Sequence, residues 1–155
     1  MRTWICGSLL IGALAAVVLP ASAVASENAI KARQGYMQVV LFYARPLFGM
    51  AKGKVAYDAK AAQAAADGLK AVTGLPSKNM WPKGSDNVAF KGKTRALPAI
   101  WEANSKVGDA SKAFKAAAAT VAAEAGKGEA AMKAAVGELG KSCGGCHKPF
   151  RAKEF

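Results

Sequence analysis

Residues 129–153 read EAAMKAAVGELGKSCGGCHKPFRAK. Met132, Val136, Leu139, Cys143, Cys146 and Phe150 recur there at spacings of 4, 3, 4, 3 and 4. That is the period of one helix face, and it predicts a helix from about Glu129 to Lys153. Both cysteines fall on the apolar stripe, so whatever they hold faces the interior.

The same period recurs upstream. Ile30, Gln34, Met37, Leu41, Ala44 and Phe48 mark a first helix from about Asn28 to Lys52, with Pro46 inside it as a kink and Gly53 as a stop. Asp58 suits the N-cap of a second helix reaching Val72, with Ala62, Ala65, Leu69 and Val72 on one face and Gly74 and Pro76 beyond it. Residues 74–98 read as a long loop, of the kind that is often functional or packed over a ligand. Pro98 suits the first turn of a third helix carrying Ile100, Ala103, Val107, Ala110, Phe114, Ala117 and Val121. Gly126 and Gly128 turn the chain into the fourth. No period-2 strand bounded by hairpin turns accompanies them. Four amphipathic helices joined by two short connections and one long one predict an all-α protein: an antiparallel up-down-up-down four-helix bundle.

Residues 1–25, MRTWICGSLLIGALAAVVLPASAVA, have the anatomy of an export signal. Arg2 precedes an uncharged run from Ile5 to Leu19, and two small-x-small patterns follow, ending at Ala23 and Ala25. The run is short for a membrane span, which needs about 20 residues. Cleavage after Ala25 leaves one domain, residues 26–155, with a cut after Ala23 as the alternative. Cys6 leaves with the leader, so the mature chain holds only Cys143 and Cys146. Of 22 basic residues Arg2 is lost, leaving 21 against 10 acidic ones, a net charge of +11. No later segment is apolar enough for stable membrane insertion, and export makes nucleic acid a poor partner for this basic charge.

Cys143-Gly144-Gly145-Cys146-His147 is the C-x-x-C-H pattern of covalent c-type haem attachment. Positions i, i+3 and i+4 share a helix face. Cys143 and Cys146 can therefore meet the two haem vinyl groups as thioethers, with His147 beneath the iron as proximal axial ligand. A buried haem near one end of the bundle, one haem c per chain, follows from this. Three other readings compete: a redox disulfide, which wants a strand before the motif; a zinc site, which lacks a fourth ligand of the same kind; and chance. Export, an exclusive cysteine pair and the only histidine of the chain agree with haem.

The second axial position has no histidine available. Met132 lies 15 residues before His147 on one helix, roughly 22 Å away. In an antiparallel bundle Met37 and His147 sit at similar heights, and Met50 sits roughly 20 Å further along. Met80 belongs to the loop and stays open as a candidate. Met37 is the candidate distal ligand, against the commoner role of core packing.

Together with Ala29-Ile30-Lys31-Ala32-Arg33-Gln34, Tyr57-Asp58-Ala59 and Leu97-Pro98-Ala99-Ile100-Trp101, this motif resembles the cytochrome c-prime family, the class II c-type cytochromes. The resemblance covers essentially all of the mature chain. It implies that Arg33 and Gln34 contact the haem propionates, that Trp101 packs close to the haem, and that Thr94 and Arg95 line the same edge. High-spin members place a non-ligating residue three positions after this glutamine; Met37 stands there instead, which resembles the low-spin His/Met branch. Pro149 departs from the pattern by removing a helical N–H near Arg151.

The expectation is a periplasmic carrier of single electrons with six-coordinate haem, not an enzyme. The alternative is a five-coordinate cytochrome that binds NO or CO. The basic charge points to acidic redox partners or an anionic membrane surface, or serves solubility alone. An exposed face of the first or second helix suits a homodimer. The intact mass of the exported protein is expected to equal residues 26–155 plus one haem; a mass that retains the leader excludes cleavage.

Overall fold

The computed structural model describes residues 21–155, with side chains from Ser26 onward. Residues 1–20 of the expected signal peptide therefore lie outside the described residues. Four helices follow: α1 (Ala21–Ala51), α2 (Ala59–Thr73), α3 (Val107–Glu124) and α4 (Glu129–Phe150), with 3-10 turns at Lys78–Met80 and Pro98–Trp101. α1 packs on α2 and α4, and α3 packs on the same two, which closes the up-down-up-down square. Among the described residues the only β pairing is a single bridge between Ala96 and Arg151.

The connections are held by local chemistry. Gly53 turns the chain at φ +66, a conformation glycine adopts without steric cost. Asp58 caps α2 by accepting from the Ala61 N–H at 2.6 Å. The Tyr57 hydroxyl donates to the Ala125 carbonyl and accepts from the Gly128 N–H, tying the start of α2 to the α3–α4 turn. Leu47, Leu69, Val121, Met132, Val136 and Leu139 are fully buried between the four helices. Each such side chain contributes about 1.5–3 kcal/mol on leaving water. A second, smaller cluster of Ala96, Ile100 and Phe150 closes the end where α4 finishes.

Several boundaries differ from the sequence expectation. α1 begins at Ala21 instead of Asn28, because the alanine-rich stretch before it favours helix. The third helix does not run from Pro98. The chain makes one 3-10 turn to Trp101, becomes extended at Glu102, and starts α3 at Val107. Asn104 and Ser105 offer the backbone local alternatives to helix, and the Val107 N–H donates to Ser105 Oγ at 3.4 Å. α4 stops at Phe150, not Lys153. The Ala152 N–H donates to the Arg95 carbonyl and the Leu97 N–H to the Phe150 carbonyl, and these bonds draw the tail away from the helix. Pro149 sits inside that last turn, where it removes one helical donor and the helix continues past it.

The buried stripe of α1 is also rotated. Ile30, Arg33, Val40, Ala44, Leu47 and Met50 are buried. Gln34, Met37 and Leu41 are exposed, and Phe48 is half-buried.

α1 and α2 meet at Gly68, where an added Cβ would lie 2.2 Å from the Tyr43 ring. Gly68→Ala is expected to lower Tm, since overpacking of about 1–3 kcal/mol exceeds a helix-propensity gain of about 1 kcal/mol. An unchanged Tm in thermal unfolding would show that Tyr43 moves aside freely.

Candidate functional site: the bundle end around Cys143, Cys146 and His147

The period of α4 places Gly140, Cys143, Gly144 and His147 toward α1. The contact between the helices is direct, because a Cβ on Gly140 would lie 3.5 Å from the Phe48 ring. Met37, Leu41 and Phe48 share one face of α1, and His147 shares the face of Gly140. His147 lies seven residues beyond Gly140 and Leu41 seven before Phe48. In antiparallel helices of equal rise, Leu41 is therefore level with His147, and Met37 is about one turn, roughly 6 Å, nearer the bundle end. Met37 is not part of the packed interior that the periodicity suggested: it is 36% exposed and Leu41 is 38% exposed. Met50 and Met132 are buried in the main core. Met80 is half-buried in the loop.

Cys143 and Cys146 are free thiols, both half-buried. Cys143 packs against the main core, and Cys146 against the cluster of Ala96, Ile100 and Phe150. Burial pushes both thiols up from the ordinary cysteine value. Burial, then the charges of Arg151 and Arg95, holds the His147 imidazole below its usual value. The imidazole is thus neutral near pH 7, with a lone pair to give. Among the described residues no three His, Cys, Asp or Glu side chains converge as a metal cluster. A zinc site is therefore unsupported.

These features fit a haem. Two thiols and an imidazole share one helical segment, and exposed apolar side chains stand opposite on α1. The two glycines between the cysteines leave room near the backbone. A Cβ on Gly145 meets nothing within 4 Å, and one on Gly144 meets only Lys148 Cε at 3.9 Å.

The loop of residues 74–98 closes this end, and Arg33 anchors it. The guanidinium, with the residue only 3% exposed, donates Nη1 to Ser85 Oγ at 2.7 Å and to the Met80 carbonyl at 3.4 Å. Its Nη2 donates to the Ser85 carbonyl and, at 2.9 Å, to Thr94 Oγ1. Arg33 also lies 4.9 Å over the Trp81 ring, a cation–π distance. Desolvation lowers its pKa and the nearby Asp86 charge partly offsets this.

Arg33 thus holds Met80, Ser85 and Thr94 of the loop together at this end of the bundle. Gln34 likewise donates Nε2 to the Lys93 carbonyl at 2.8 Å. Thr94 is buried beneath Arg33 and also accepts from the Ala96 N–H. Arg95 clamps the C-terminal tail, donating Nε to the Ala152 carbonyl at 2.7 Å and Nη2 to the Lys153 carbonyl. Trp101 packs on the Cys146 cluster and donates Nε1 to the Trp81 carbonyl at 3.0 Å.

Sequence reasoning missed Trp81 and Ser85. Loop position hid both, and no period marks a residue whose partner is 52 positions away. Arg33→Met is expected to cost about 1–3 kcal/mol, because it leaves buried neutral oxygens of Ser85 and Thr94 without their donor. Its loop should become cleavable between residues 74 and 98 in limited proteolysis. Wild-type Tm and an intact loop would show that other contacts hold it.

The comparisons with known proteins agree along the whole described bundle. The family described as Cytochrome C' matches residues 28–151. A curated cytochrome c' of Cereibacter sphaeroides is 38% identical over 137 residues, covering 87% of this chain and 91% of the relative. A solved cytochrome c' from Rhodobacter Spheriodes superposes with a TM-score of 0.80 at 36% identity, covering 83% of this chain and 98% of that one. A solved nitric oxide complex of a mutant cytochrome c prime from Alcaligenes xylosoxidans reaches a TM-score of 0.70 at 27% identity, covering 83% and 97%. Haem c is accordingly the cofactor, and the two cysteines near the C-terminus fit its attachment motif. From the bundle, the motif and these relatives together, the chain belongs to the cytochrome c' family.

Proposed function

We propose that the chain is an exported, periplasmic cytochrome that takes a small diatomic gas, NO or CO, at an open sixth position of its haem. Cys143 and Cys146 hold the group as thioethers, and His147 supplies the axial nitrogen. The observation that carries this reading is the apolar face of α1 opposite His147. Leu41 is level with the imidazole and Met37 stands one turn away, both apolar and exposed. The polar neighbours are turned elsewhere: Gln34 to the Lys93 carbonyl and Arg33 into the loop.

Haem iron binds NO or CO without a hydrogen-bond donor beside it, whereas a distal donor favours dioxygen. Met37 and Leu41 offer no hydrogen-bond donor. The Alcaligenes xylosoxidans relative described as a nitric oxide complex supports the same ligand class. Family membership supports the five-coordinate state over His/Met ligation. No turnover is assigned to the site. Residues 1–25 act as the export signal, and among the described residues no helix is long and apolar enough to cross a membrane. A homodimer, through the strip of α1 that leaves Val39 and Phe42 exposed, belongs to the same reading.

One observation favours a second reading, the six-coordinate electron carrier. Met37 belongs to neither apolar core cluster, which leaves its thioether free to turn toward the iron.

The optical spectrum of the reduced holoprotein, with and without carbon monoxide, separates the two. A broad high-spin spectrum that shifts with the gas, and is unchanged in Met37→Leu, is the expected result. A sharp, split spectrum that resists the gas in wild type and yields to it in Met37→Leu would establish Met37 ligation and the carrier.

A further inference from the structure

Trp81 and Trp101 take no part in the ligand chemistry above. Their ring centroids are 6.5 Å apart with planes tilted by 48°. Both pack on the apolar cluster that also receives Cys146. Trp81 is half-buried against that cluster. The two indoles thus lie side by side on the cluster against which Cys146 also packs.

The charge of this loop is mainly positive: residues 74–98 hold Lys78, Lys83, Lys91, Lys93 and Arg95 against Asp86. Lys78, Lys83 and Lys91 are exposed on the same loop, and Lys148 and Lys153 are exposed at the adjoining end of α4. None of these five is in an ion pair among the described residues. Among the described residues the ion pairs are Lys127–Glu124, Lys133–Glu129 and Lys141–Glu138 along α3 and α4, and Lys93–Glu27, which ties another lysine of the loop to α1. Arg33 adds a buried positive charge over the Trp81 ring, and its hydrogen bonds go to neutral oxygens only. Asp86, the acid of this loop, accepts from the Val88 and Ala89 N–H groups, and its charge acts on Arg33.

We infer that the Trp81 face of the loop is the docking surface for an acidic electron-donor protein. The donor loses one electron and is oxidised by one unit. The ferric iron of the haem held at Cys146 gains that electron and becomes ferrous, and no proton or bond changes hands. Lysines of one sign steer an acidic partner to this face, and the aromatic pair provides the contact inward. The inference rests on haem attachment at Cys143 and Cys146, not on whether Met37 ligates. The spectrum above tests ligation, and the following experiments test the surface.

Ferrous holoprotein is oxidised by two small reagents of opposite charge, anionic ferricyanide and cationic tris(phenanthroline)cobalt(III), in stopped flow at low salt. Lys78→Glu/Lys83→Glu is expected to slow ferricyanide by about three- to tenfold and to speed the cobalt reagent, as local charge steers encounter. Lys52→Glu/Lys54→Glu makes the same charge change at the far end of α1 and should leave both rates within about twofold. High salt should remove the difference. Trp81→Leu should slow both reagents, and Trp81→Phe, which keeps a ring, should restore most of the rate if the Leu variant fails to fold.

A readout independent of electron transfer is calorimetric binding of a polyglutamate peptide, weakened by the Lys78/Lys83 pair and not by the Lys52/Lys54 pair. Equal effects of the two charge pairs would reduce the surface to net charge and overturn the inference. So would wild-type rates in both Trp81 variants. Binding of phosphatidylglycerol vesicles that depends on Lys78 and Lys83, with polyglutamate binding unaffected, would assign the face to a membrane instead.

Discussion

Arg33 gives up its hydration to hold four neutral oxygens of the loop that caps the bundle, and the arrangement of that end depends on it. A buried guanidinium without a carboxylate is costly, and hydrogen bonds to every available oxygen, with an aromatic ring beneath, offset the cost. Ser85, Thr94 and the Met80 carbonyl are gathered by one side chain from α1. The loop then brings Ala96 and Leu97 to the end of α4, where backbone bonds to Phe150 and Ala152 fix the segment that follows His147. One charged side chain of α1 is thus the fastening of the cover.

The second constraint is the close approach of α1 and α4 at Gly140. With only a hydrogen on that residue, the Phe48 ring can lie against the helix, and the pair sets which turns of α1 face the haem motif. Leu41 and Met37 follow from that register. The apolar wall is therefore a consequence of helix packing more than of any single residue near the histidine. Its chemistry, without a donor, matches ligands that need none.

Charge is arranged unevenly on the same frame. Lys127, Lys133 and Lys141 are paired along α3 and α4 and Lys93 of the loop is paired with Glu27, while Lys78, Lys83 and Lys91 of the loop and Lys153 of the tail are in no ion pair among the described residues. Solvent-exposed pairs contribute little stability, about 0–1 kcal/mol each. Their consequence lies in the field they leave, which is positive where Trp81 reaches the surface.

The sequence by itself determined the four helices, the Asp58 cap, the Gly53 turn and the attachment segment, because each is written within a few residues: a period, a cap, a glycine, a C-x-x-C-H spacing. It placed Met37 within about one turn of His147, since antiparallel helices of known rise leave little freedom. It misjudged the rotation of α1, counting Gln34, Met37 and Leu41 as interior, because an apolar period does not distinguish a core face from a wall at a cofactor site. It also ran α3 back to Pro98 and α4 on to Lys153. Only the tertiary structure decided that Arg33 anchors the loop, that Arg95 clamps the tail and that Trp81 joins Trp101. These contacts span 20 to 61 positions in the chain. Contacts so distant leave no local pattern, and they become definite only when four packed helices bring their ends together.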